Sequence, residues 1–396
     1  MDESKEKSFA VMRRGELRAT AIITTIAMLR LFALFALLPV MALFAGNLPG
    51  ATPTLVGVAV GGYGLTQALL QIPLGLLSDR FGRIPVILLG LAIFAAGSIL
   101  AACSETIHGV IAGRLLQGAG AVSATLTALL ADATRPEIRT RTMALLGVGI
   151  GTTFLLALVL GPAIAALSGV RSLFWLGAAM AFVGALLLRL LPPVVETRRP
   201  AAVPFRDALQ PRLIRLDTYI FLLHALLSAS FVALPLLLRS EAIVSDSGQW
   251  KIYAGALVLS LAGTIPLILA DERRGKARTV SVAILLLALG QFVITFGHAT
   301  APVVIAGLAL FFAGYNYLEA GLPARLSILA DARLRGASLG VFSSAQFLGI
   351  FAGGLAGGWL LELRPPADVL LGCAAVATLW LIAHTVTGSR NDSDAA

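Results

Sequence analysis

The chain has 396 residues, of which 58% are hydrophobic and only 13% charged. Soluble globular proteins carry about 25% charged residues, so a water-exposed surface of this size is excluded and a lipid bilayer is the expected surrounding. The net charge of +9 does not indicate nucleic acid, because the basic residues sit in short segments between apolar runs.

Residues 1–18 form a basic tail with Lys5, Lys7, Arg13, Arg14 and Arg18. The apolar run behind it, 19–45, is too long for a signal-peptide core of about 7–15 residues and is followed by more such runs, so it reads as a first membrane helix. A helix needs about 20 apolar residues to cross a bilayer. On that criterion twelve spans are expected: 19–45, 53–77, 84–104, 107–131, 140–167 and 171–191, then 215–238, 250–270, 279–298, 302–330, 336–361 and 367–387. The fold class is therefore an all-α membrane protein. An N-terminal half (19–191) and a C-terminal half (215–387) are joined by a proline-rich, basic linker (192–214), and a short tail (388–396) closes the chain.

Within the spans, polar residues are few. Arg30 lies about eleven residues into span 1, roughly 16 Å from its start and near the midplane at 1.5 Å per residue. Gln67 and Gln71 interrupt span 2. Gly75-Leu-Leu-Ser-Asp79-Arg80-Phe-Gly82-Arg83 then reads as a charged loop wedged between spans 2 and 3. Arg114 and Gln117 lie in span 4, and Leu130-Ala-Asp132-Ala-Thr-Arg135 closes it. Span 5 carries Gly147, Gly151, Gly161 and Pro162 as candidate helix-packing residues. In the second half, His224 lies in span 7, Asn316 and Glu319 in span 10, and Gln346 in span 11. Gly349, Gly353 and Gly357 make an i, i+4, i+8 stripe there, suited to close helix packing.

The two halves echo each other. Asp79 and Asp271 close spans 2 and 8, 192 residues apart, with Arg273, Arg274, Gly275 and Lys276 behind the second. Leu130-Ala-Asp-Ala recurs as Leu329-Ala-Asp-Ala, 199 residues on, before Arg333. That is the pattern of parallel six-helix repeats. Of the 30 Lys and Arg, 23 fall in the tails and loops on the N-terminus side, four in the opposite loops and three within spans. The positive-inside rule then expects both termini in the cytoplasm.

Gly75-x-Leu77-x-Asp79-Arg80-x-Gly82-Arg83 resembles the loop 2–3 signature of the major facilitator superfamily, departing only at Ile84. Arg114-Leu-Leu-Gln117-Gly118-Ala-Gly120 resembles its span 4 signature. Gly161-Pro162 with Gly147 and Gly151 resembles in part the antiporter signature of span 5, whose trailing glycine pair is replaced by Ala165 and Ala166. Tyr63-Gly-Leu-Thr-Gln67, Phe174-Trp175 and Asn316-x-x-Glu319-Ala-x-Leu-Pro323 are most similar to its drug:proton antiporter branch. An extra soluble C-terminal domain found in that branch is expected to be missing.

The resemblance implies a monomeric, multi-pass carrier of the bacterial inner membrane. It would work by alternating access on small molecules, with no cofactor. It also implies that spans 1, 4, 7 and 10 line a central cavity, and these are the spans holding Arg30, Arg114, His224, Asn316 and Glu319. Gln67, Gln117 and Gln346 are further cavity candidates, and interhelical hydrogen bonding is their competing role. Glu319 is the first proton-site candidate and His224 the second, since a carboxylate in apolar surroundings and an imidazole both titrate within reach of neutral pH. Span 1 offers Arg30 where many drug:proton antiporters place an acid. By resemblance Asp79 would face the start of span 11, at Gly336-Ala-Ser-Leu-Gly340, when the cytoplasmic side is closed, with Arg83 and Asp132 as a supporting pair. Efflux of small amphipathic compounds in exchange for protons is the leading expectation. A proton-independent or symport carrier of a polar or anionic solute, and a non-transporting receptor, are the alternatives. An enzyme is not expected: Gly336-x-Ser338-x-Gly340 has no strand–turn–helix context, no Walker loop occurs, and the histidines lack metal spacing.

Overall fold

The computed structural model describes residues 12–194, 210–274, 276–331 and 334–393. Among them, regular structure is entirely helical. Twelve helical stretches are long and apolar enough to cross a membrane: Arg14–Gly46, Pro53–Phe81, Arg83–Cys103, Ile107–Asp132, Pro136–Ser168 and Arg171–Leu190, then Arg212–Ser240, Asp246–Asp271, Ala277–Gly297, Ala301–Leu329, Gly336–Leu363 and Pro366–Val386. They are spans 1–12. Most of the linker lies outside the described residues, as do Gly275, Arg333 and the end of the C-tail.

Helices with no exposed polar face need a solvent as apolar as themselves, and the outward surface supplies the contact. Leu69, Val148, Leu167, Phe182, Val258, Phe296 and Leu379 are all more than 60% exposed. Inside, the spans form two six-helix halves whose contacts run mainly within each half, with spans 2 and 11 as the most extensive junction between them.

Close packing within the halves is repeated. Gly97 sits against Gly113, joining spans 3 and 4, and Gly290 sits against Gly307, joining spans 9 and 10. Gly97 and Gly290 are 193 positions apart, and Gly113 and Gly307 are 194 apart. At the same offset of 194, Arg30 of span 1 corresponds to His224 of span 7. The two halves therefore place their buried basic side chains at equivalent positions.

Three sequence expectations are corrected here. The charged loop 75–83 is not a loop: span 2 stays helical through Phe81, Gly82 alone turns the chain at φ 93°, and span 3 starts at Arg83. Only a residue without a Cβ adopts that backbone readily. Gly147 and Gly151 do not pack: no atom lies within 4 Å of where a Cβ would stand on either. Gly149, between them, meets Thr24 and Met28 of span 1 instead. Spans 1 and 4 are not continuous, since span 1 divides into Arg14–Phe35 and Leu38–Gly46 and span 4 into Ile107–Ala119 and Ser123–Asp132.

Candidate functional site

The interior holds two polar clusters, one per half. In the N-terminal half, Arg30 is 1% exposed. Its Nη2 donates to Gln67 Oε1 at 3.0 Å and its Nη1 to Ser123 Oγ at 3.3 Å, and the guanidinium lies 5.5 Å from the Phe94 ring. No carboxylate pairs with it among the described residues. Burying a guanidinium among neutral partners costs several kcal/mol in a membrane interior, so this arrangement needs a compensating reason.

Arg114 looks the same in the sequence and is different in the fold. Its Nε and Nη2 donate to the carbonyls of Ala59 and Val60, each at 3.1 Å, and its Nη1 to Gln117 Oε1 at 2.9 Å. The Tyr63 ring lies 4.4 Å from the guanidinium. Gln117 passes the chain on, donating to Ser98 Oγ at 2.8 Å. Arg114 and Gln117 are thus engaged in joining spans 2, 3 and 4.

In the C-terminal half, His224, Tyr315, Glu319 and Gln346 converge from spans 7, 10 and 11. His224 Nδ1 lies 3.1 Å from the Ile220 carbonyl, which makes Nδ1 the protonated nitrogen of the neutral ring. Nε2 is then an acceptor, 2.9 Å from Gln346 Nε2 and 3.2 Å from Tyr315 Oη. Gln346 Nε2 also donates to Glu319 Oε1 at 3.2 Å, and Glu319 Oε2 stands 3.5 Å from His224 Nε2. Oε2 has no hydrogen-bond partner, although the side chain as a whole is 33% exposed. A carboxylate and an imidazole nitrogen thus stand within reach of one shared proton. Asn316 lies beside this cluster but turns to Ser260 of span 8 at 3.4 Å. Tyr315 stacks on Phe154 of span 5 at 5.5 Å, an aromatic contact between the halves.

At the end of the bundle where spans 2 and 3 meet, here the basic end, Arg83 binds Asp79 Oδ1 at 2.5 Å and Asp132 Oδ2 at 3.2 Å and donates to Ser78 Oγ at 2.6 Å. Arg80 points outward over Phe81. Gly75 and Gly336 carry no cross-half hydrogen bond among the described residues, and the neighbour of Gly340 is Ile72 of span 2, whose Cγ1 would be 3.8 Å from a Cβ there. Asp79 is therefore held by its own half, with no hydrogen bond to the start of span 11 among the described residues. The second half has its own clamp: Asp271 accepts from Tyr317 Oη at 2.7 Å and from Arg325 Nη2 at 3.0 Å. Glu16 at the start of span 1 is bound by Arg135 Nε at 2.7 Å and Nη2 at 3.2 Å. Asp271 and Arg135 stand out in the sequence without these partners, and Arg325 emerges only in the fold.

Toward the opposite end, spans 2 and 11 meet backbone to backbone. A Cβ on Gly57 would stand 2.9 Å from Gly358 Cα, and one on Gly61 would stand 2.6 Å from the Ile350 carbonyl oxygen. Ser344 Oγ donates to the Ala68 carbonyl at 3.1 Å, and Glu362 accepts from the Thr54 N–H at 3.3 Å at the rim. The expected stripe Gly349, Gly353 and Gly357 faces Phe221, Ala225 and Ala229 of span 7 instead, and Gly161 lies against Ala36 of span 1, with Pro162 buried beside it. The seam glycines Gly57, Gly61, Gly354 and Gly358 were missed, although each pair shows the same four-residue spacing.

Comparison with known proteins gives a consistent picture. The sequence profile of the family described as Major Facilitator Superfamily matches residues 23–354. The inner membrane transport protein YajR of Escherichia coli (strain K12) is 40% identical over 378 residues, 93% of this chain and 83% of its own. The multidrug resistance protein MdtH of Aeromonas salmonicida (strain A449) is 27% identical over 380 residues, 90% of this chain and 93% of its own. The crystal structure of the human organic anion transporter MFSD10 (TETRAN) aligns with a TM-score of 0.69 at 22% identity, covering 94% of this chain and 100% of that one, a likeness of fold.

Proposed function

This chain belongs to the major facilitator superfamily, and from that premise we propose that it exports small amphipathic organic molecules across a bacterial inner membrane in exchange for protons. Membership makes it a multi-pass transporter of the secondary-carrier type, and its relatives are transporters rather than enzymes. The basic end faces the cytoplasm in this reading, with both termini there, because 23 of 30 basic side chains lie on that side. The carrier acts as a monomer.

The observation that carries the reading is the Glu319–His224–Gln346 cluster. A carboxylate with one buried, unpartnered oxygen 3.5 Å from an imidazole nitrogen offers a single proton a place between two groups. When the site opens to a compartment of higher pH, water reaches Oε2, the charged carboxylate is solvated, and the proton leaves. Substrate exchange on the other half of the cycle then resets the pair. The seam of spans 2 and 11 and the Arg83 cluster are the elements placed to close opposite ends in turn.

The test is flux in proteoliposomes holding the purified full chain, with a panel of amphipathic compounds and an imposed pH gradient of either sign. Export driven by inward proton movement supports the reading. Flux that ignores both gradients removes the proton from the mechanism, and no flux of any compound removes transport of this class.

A further inference from the structure

We infer that the moiety recognised inside the N-terminal half is an anion, a carboxylate carried on an apolar body. The inference rests on the transport reading for its physiological meaning but on local geometry for its chemistry.

Three donor groups lie around the Arg30 guanidinium. Arg30 Nε is buried and has no hydrogen-bond partner. Gln67 uses its oxygen on Arg30, which leaves its Nε2 buried and equally unpartnered. The third is a helix start. Span 4 breaks after Ala119, and its second segment, Ser123–Asp132, begins beside the guanidinium, with Ser123 Oγ 3.3 Å from Arg30 Nη1. The leading N–H groups of a helix have no intrahelical acceptors, and the helix dipole adds roughly half a positive charge there. A cation beside a helix N-terminus is a repulsive pairing. It persists here with no carboxylate in hydrogen-bond contact among the described residues.

Unsatisfied donors ask for acceptors, and a positive field asks for an anion. Discontinuous membrane helices use their half-helix N-termini in this way toward anionic groups. The space itself is a cavity of about 30 Å³ lined by Arg30, Ser123, Thr127, Leu126, Leu146 and Ile150 among others. That volume admits only a small polar group beside Arg30, and Leu126, Leu146 and Ile150 make the remaining walls apolar. Arg114 does not compete for the ligand, because each of its three nitrogens already donates a hydrogen bond and the Tyr63 ring lies against it.

The experiment measures binding, not flux, so that it fails or succeeds independently of the transport reading. The purified full chain in detergent is titrated with 2-naphthoate, decanoate, 2-naphthamide and decyltrimethylammonium, and thermal stabilisation is followed. The carboxylates should give saturable stabilisation, with the amide and the ammonium compound at least tenfold weaker. Arg30→Gln should weaken carboxylate binding at least tenfold, and Arg30→Lys should retain part of it. Gln67→Glu should raise the melting temperature and abolish carboxylate binding, because it supplies the missing anion from within. Equal binding of amide and carboxylate, preference for the ammonium compound, or no saturable Arg30-dependent shift by either carboxylate overturns the inference. A melting temperature lowered by Gln67→Glu overturns it too.

Discussion

Replacing Asp79 by Asn and replacing Arg83 by Ala should separate gating from folding. In both cases an ion pair at the basic end is broken, but the structure makes the two losses unequal. Asp79 is 44% exposed, whereas Arg83 is 5% and Asp132 3% exposed. An exposed pair contributes about 1 kcal/mol or less, because water solvates whichever partner is left. Breaking a buried pair by removing one partner costs roughly 3–5 kcal/mol, because the other charge is stranded. Arg83→Ala takes the buried cation away from Asp132, Asp79 and Ser78 together; Asp79→Asn leaves Arg83 with Asp132 and Ser78. The gap of at least about 2 kcal/mol is roughly a thirty-fold difference in the folded-to-unfolded ratio. Thermal unfolding of the two purified variants in the same detergent, followed by proteoliposome flux at equal folded protein, reads both effects. Asp79→Asn should melt close to the wild type and lose most of its transport. If it melts as low as Arg83→Ala, its transport defect is one of folding and the gating argument fails.

Other substitutions probe the remaining elements. Glu319→Gln keeps the Gln346 contact but removes the ionisable group, so flux should lose its dependence on the pH gradient; a profile matching the wild type excludes Glu319 as the proton carrier. As external pH falls, wild-type export should rise, because loading of the pair requires the protonated form, and His224→Asn should blunt that rise. Arg114→Ala removes three hydrogen bonds at about 1.5 kcal/mol or more each. Its melting temperature should fall, with substrate affinity per folded molecule nearly unchanged; unchanged stability with lost affinity would return Arg114 to the cavity. Gly61→Leu should block the seam and abolish transport, whereas Gly147→Leu should be tolerated, and equal flux from the two would refute the packing assignment.

Hydrophobic length and charge placement carry nearly all of the fold, because a span announces itself by some twenty apolar residues whatever it packs against. The sites are less legible. Arg30 and Arg114 are each a lone arginine in an apolar run, and only the approach of the Ala59 and Val60 carbonyls distinguishes the satisfied one from the strained one. Glycine spacing shows that a stripe exists but not which face is turned inward. Hence Gly147 and Gly151 look like packing residues while Gly149 is the one that packs. The breaks in spans 1 and 4 are invisible to hydropathy, since apolar residues continue through the turn, yet the break after Ala119 creates the helix start beside Arg30. Glu319 and His224 stand out as ionisable residues in apolar runs. Their meeting through Gln346, on a third helix more than 20 residues away along the chain, does not.

The glycine seam between spans 2 and 11 has a thermodynamic corollary. Each backbone there keeps its own intrahelical bonds, so parting the two helices forfeits mainly dispersion contacts, together with the hydrogen bonds of Ser344 to Ala68 and of Thr54 to Glu362. Glu362 at the rim is the charged group that ions in the bathing solution meet at that junction. At the other mouth, carboxylates and guanidinium groups hold the elements together, and dissolved salt weakens such attractions. Raising ionic strength on the side of residues 79–83 should therefore loosen the exposed Asp79 end of a clamp that lies within one half, while the glycine seam, held by packing, responds little.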